Sequence, residues 1–197
     1  MNEIELFAKP FWVNFLILVP VFLFFYFRKH KLSITKRTLL FTFVFGVAFG
    51  VIEASCVVYL RAAAGLLPGY EGTLLDVWRQ SDQFYNNQIL LEQLPMSLLA
   101  VELIREVGAI VMLWMVAFIS AQKIKERIAV FLWAFAVWDI VYYAHFFLTV
   151  RWPQSLTTPD VLFLIPEPWS SQVWFPILVS GLTMIAVFIN SKDKSQK

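Results

Sequence analysis

Charge is what this sequence has little of. Of 197 residues only 15% are Asp, Glu, Lys or Arg and 59% are hydrophobic, where a soluble domain carries about 25% charged residues. That is more apolar surface than one small core can bury, and too much for a disordered chain. The single cysteine, Cys56, excludes an intramolecular disulfide and a multi-cysteine zinc or iron–sulfur centre. Only two histidines are present, His30 and His145; His30 lies in a basic turn, which leaves His145 without a partner for a two-histidine haem. Glycine-rich phosphate loops and a serine nucleophile elbow are both missing, so neither nucleotide binding nor Ser-His-Asp hydrolysis has a signature. A net charge of +2 gives no reason to expect nucleic acid as a partner.

What is present instead is a set of long apolar runs, at about 11–27, 38–60, 97–121, 128–150 and 173–190. Each approaches the length needed to cross a hydrocarbon layer about 30 Å thick, and backbone groups in lipid must be satisfied within the segment, which predicts helices. Short alternating segments of the barrel kind are absent. The expectation is an all-α polytopic membrane helix bundle of five transmembrane helices, a single integral membrane domain over 1–197. Glu3 and Glu5 before the first run, and Arg28 to Lys31 after it, argue against a cleavable signal peptide. Eleven of the sixteen basic residues fall in the segments 28–37, 122–127 and 192–197, and eight of the fourteen acids fall on the opposite side. By the positive-inside rule this puts the N-terminus out and the C-terminus in. No repeat is visible, and an odd number of spans argues against two inverted halves of the transporter type.

Two outer loops remain, 61–95 and 151–172. In the first, Thr73 to Leu94 has the composition of a short surface helix. The second places Trp152-Pro153, Pro159, Pro166-Glu167-Pro168-Trp169 and Trp174 around the apolar run Val161 to Ile165. Tryptophan favours the lipid–water interface and proline breaks helices, so this loop is expected to cap the bundle, with re-entry as the alternative.

Five ionisable groups lie inside the runs: Glu53, Glu102, Arg105, Glu106 and Asp139. Asp or Arg at a helix centre costs about 2.5–3.5 kcal/mol on insertion scales, so such residues face inward, pair and mark function. At a rise of about 1.5 Å per residue, Glu53, Glu106 and Asp139 all fall in the outer half of the layer. Glu102 and Glu106 share a face, and Arg105 is placed to pair with Glu102. Gly46, Gly50 and Glu53 form a stripe that allows close helix approach. Tyr142, Tyr143 and His145 supply hydrogen-bonding groups on the fourth run. The leading reading is structural or partner-docking, with the polar cluster holding the bundle together or docking a membrane-protein partner or a second copy of the chain. The alternatives are a membrane-embedded enzyme binding a divalent metal or a lipid-soluble substrate, with Glu53, Glu106, Asp139 and His145 as metal candidates, and a small proton-coupled carrier.

The string Val137-Trp138-Asp139-Ile140-Val141-Tyr142-Tyr143, with Trp152-Pro153 and Leu162-Phe163-Leu164-Ile165-Pro166-Glu167-Pro168-Trp169 after it, resembles a group of bacterial multi-pass inner-membrane proteins. The resemblance covers the fourth span and its outer loop. It implies a five-helix protein of the bacterial inner membrane and brings no chemistry with it.

Overall fold

The computed structural model describes residues 7–63, 73, 75, 76 and 95–192. The surface helix expected over 73–94 therefore lies outside the described residues, apart from three positions. A 3₁₀ segment, Phe11–Ile17, runs into α1 (Leu18–His30), followed by α2 (Lys36–Ala63), α3 (Met96–Ser120), α4 (Ile124–Val150), β1 (Pro159–Phe163), β2 (Trp169–Gln172) and α5 (Trp174–Asn190). Four of these stretches, Phe11–His30, Lys36–Leu60, Met96–Ser120 and Ile124–Val150, are long and apolar enough to cross a membrane. The fifth, α5, is apolar but has 17 residues, a length of about 26 Å. Large apolar side chains cover the outside: Phe22, Ile104, Ile119 and Ile189 are each more than 60% exposed. This is the surface of a membrane-type bundle, since so much contiguous apolar area is not left facing water.

Helix α4 is the axis. It is buried on several faces and packs against α2, α3 and α5, while α1 lies along α5. Its contact with α2 is made close by the two glycines: a Cβ on Gly46 would stand 2.9 Å from the Val137 Cβ, and one on Gly50 would stand 2.9 Å from the Trp138 carbonyl oxygen. Near the other end of that contact the Trp133 indole donates to the Leu39 carbonyl at 3.0 Å. By contrast α3 buries one stripe only, Glu106, Ala109, Leu113 and Ala117, at i, i+3, i+7 and i+11.

The three basic segments meet at one end of the bundle. Lys125 donates from Nζ to the carbonyls of His30 (2.5 Å) and Lys31 (2.9 Å), the Ser33 amide donates to the Glu126 carboxylate at 3.2 Å, and the Lys192 amide donates to the Ile34 carbonyl at 2.8 Å.

At the opposite end the all-α expectation is corrected. Segment 151–172 contains an antiparallel hairpin, with Pro159 opposite Gln172, Asp160 opposite Ser171 and Val161 opposite Ser170. Nor does it simply cap the bundle. Strand β1 descends beside α4, from Asp160 bonded to Tyr143 down to Phe163, whose ring stacks on Phe135 at 5.8 Å. Phe135 is fifteen residues from the last residue of α4, about 22 Å along the helix. Non-helical backbone at such depth persists only where its polar groups are met. The free edge of β2 is met by Lys9, whose amide and carbonyl exchange bonds of 2.8 and 2.7 Å with Ser170. Prolines 166 and 168 at the tip prevent the apolar run from continuing as a helix.

Candidate functional site

The ionisable groups expected to form one site are distributed over several partner sets. In the first, Arg105 is the centre. Its Nε and Nη2 donate to the same oxygen of Glu102 at 3.0 and 2.7 Å, the i,i+3 pairing that helical spacing favours, and its Nη1 pairs with Glu53 on α2. Glu53 is 6% exposed. Tyr142 on α4 lies within electrostatic reach of the guanidinium, and its ring packs against Phe146 with centroids 4.8 Å apart. Arg105 thus ties α2 to α3.

Glu106 does something different. Its two carboxylate oxygens both stand 3.1 Å from the Leu164 amide nitrogen. The strand register slips between Val161 and Phe163, and Leu164 lies just past the end of β1, where an amide has no partner from the ladder. The carboxylate occupies the position a partner carbonyl would take. Because Glu106 continues the buried stripe of α3, this bond fixes the outer half of α3 to the hairpin.

A third set joins α4, α5 and β1. Ser180 donates to Asp139 at 2.8 Å, and the Tyr143 hydroxyl donates to Asp160 at 2.7 Å, with the two carboxylates in electrostatic reach of each other. Asp160 also accepts its neighbour's amide, from Val161, at 2.8 Å. Finally, His145 Nε2 is 3.1 Å from the Ser55 hydroxyl, which donates to the Val51 carbonyl at 2.8 Å. The Ser55 hydroxyl thus bridges His145 on α4 and the Val51 carbonyl of its own helix. Cys56 is half-buried and carries a free thiol.

Comparison with family models, with curated proteins and with solved structures finds no match. The chemistry therefore rests on the geometry alone. Among the described residues no group of three or more His, Cys, Asp or Glu is gathered closely enough to hold a metal ion. The four metal candidates are separated: Glu53 is on Arg105, Glu106 on the hairpin amide, Asp139 on Ser180 and His145 on Ser55.

Two partners were not anticipated. Asp160 is one of the eight acids that the sequence puts on the outer side, yet it is 3% exposed. Ser180 lies on a buried α5 stripe with Pro176, Thr183 and Val187, an i, i+4, i+7, i+11 pattern that is readable in the sequence. The Leu164 amide has no side-chain signature at all.

Proposed function

We propose that this chain is a five-span protein of the bacterial inner membrane, with its N-terminus outside and C-terminus inside, whose intramembrane charges hold the helices and the outer hairpin of the bundle together. The observation that carries this reading is the use of three of the acids by other parts of the fold. Glu53 joins α2 to α3 through Arg105, Glu106 joins α3 to the hairpin, and Asp139 joins α4 to α5. Catalytic carboxylates are instead expected to converge on one open position. The fifth span, α5, is supported by its apolar composition and by its place between α1 and α4. The orientation is supported by the gathering of the basic turns at a single end.

The test uses detergent-purified full-length protein. Thermal stability and metal content are compared between the parent and the Glu53→Gln, Glu106→Gln double variant. The structural reading expects lower thermal stability and no stoichiometric divalent metal in either protein. A bound metal lost from the variant, or a variant at least as stable as the parent, would overturn it.

A further inference from the structure

A groove of about 340 Å³ opens on the flank of the bundle between α4, α5 and the returning chain, lined by Ile140, Ala144, Phe147, Ser155, Leu156 and Ile177 among others. On α4 its wall is a single stripe, Ile140, Ala144 and Phe147 at i, i+4 and i+7, and Arg151 falls next on it. The Arg151 guanidinium stands over the Phe147 ring, 5.6 Å from its centroid. Phe147 and Leu156 are 45% and 58% exposed, so the groove faces the surroundings of the bundle and not its interior.

The backbone at Arg151 gives a second and independent observation. It ends α4 in the left-handed region, at φ 59, with its amide donating to the Phe147 carbonyl at 3.1 Å. Glycine is the residue that fits this position without strain. A long cationic side chain is held there instead, on the α4 stripe that leads into this groove, and an outlier of this kind points to a use for the side chain.

We propose that this groove is a specific site for an anionic phospholipid, with one acyl chain lying along Ile140, Ala144 and Phe147 and the phosphate held by Arg151. Charge complementarity selects the occupant. Of the cations whose side chains are described toward the hairpin end, Arg105 is committed to Glu53 and Glu102 and Lys9 lies along the edge of β2, while Arg151 stands over a ring that lines the groove. From Ile140 to Arg151 the stripe is eleven residues long, about 16 Å, which places an interfacial cation above a wall that reaches into the hydrocarbon. Arginine suits phosphate because its planar fork matches two phosphate oxygens.

The experiment is native mass spectrometry on full-length protein purified in a mild detergent and then titrated separately with phosphatidylglycerol and with phosphatidylcholine. One tightly held phosphatidylglycerol is expected, favoured about tenfold over phosphatidylcholine, the ratio that one charge-assisted hydrogen bond supplies. Arg151→Gly relieves the backbone, so it should fold at least as well as the parent and lose that preference. Ala144→Trp fills the groove and should remove tight binding of both lipids. Equal binding of the two lipids by the parent, a preference that survives Arg151→Gly, or undiminished binding by a folded Ala144→Trp variant would each overturn the proposal.

Discussion

Replacing Arg105 with methionine distinguishes the structural account from a catalytic one by an asymmetry. Arg105 serves two carboxylates: Glu102 by two bonds of 3.0 and 2.7 Å within α3, and Glu53 across to α2. The side chains of Glu53 and Glu102 are 8% and 17% exposed. Methionine keeps the apolar stem of the side chain and removes every donor, leaving the buried Glu53 and the half-buried Glu102 uncompensated, and breaking a buried pair in this way costs up to about 3–5 kcal/mol. Glu53→Gln is the milder perturbation. It leaves Arg105 paired with Glu102 and gives up one interhelical contact, worth about 0.6 kcal/mol on average between membrane helices and up to about 1.7. Equilibrium unfolding in mixed detergent–lipid bicelles should rank the parent above Glu53→Gln and Glu53→Gln well above Arg105→Met. If Arg105→Met were no less stable than Glu53→Gln, Arg105 would not be the compensating centre of the network.

Three further outcomes follow from contacts elsewhere. Gly50→Ala pushes a methyl to within 2.9 Å of the Trp138 carbonyl oxygen and should destabilise by about 1–3 kcal/mol, read as a lower unfolding midpoint; an unchanged midpoint would show that the α2–α4 contact is looser than described. Glu106→Leu leaves the half-buried Leu164 amide without its acceptor, at a cost of about 1 kcal/mol, the lower end for an unmet polar group, while Glu106→Gln keeps a carbonyl there and should lose less; protease cleavage within 151–172 reports the release of the hairpin, and equal cleavage of the two variants would refute the clasp. For topology, in a Cys56→Ala background, Ser33→Cys should react with a membrane-impermeant maleimide only in inverted vesicles and Ser155→Cys only in intact cells, and the reverse pattern would overturn the orientation.

How much of this was legible in the sequence depends on what carries the signal. Helix boundaries fall within a few residues of the apolar runs because lipid-facing backbone must close its own hydrogen bonds, a demand that only a long run meets. The Gly46 and Gly50 stripe was readable because close approach has a residue-type requirement, and the structure places it against α4. The Glu102–Arg105 pairing followed from helical spacing. What escaped was the hairpin. Its strands are only five and four residues long, and the surrounding tryptophans and prolines carried the stronger signal of an interfacial loop. With the hairpin unseen, Asp160 read only as an outer-side acid and the partner of Glu106 could not be named. The partner of Glu106 is a main-chain amide, which every residue but proline possesses, so no pattern of side chains reports it.

The central claim is that the intramembrane acids serve separate structural partners and do not share a site. A double-variant cycle on Arg105→Met and Asp139→Ala, with unfolding free energies measured in bicelles, tests it most directly. The account predicts that both single variants are destabilised and that the losses add to within about 0.5 kcal/mol, as they do for sites without common partners. An interaction energy above about 1 kcal/mol, or a single variant more stable than the parent, would contradict it.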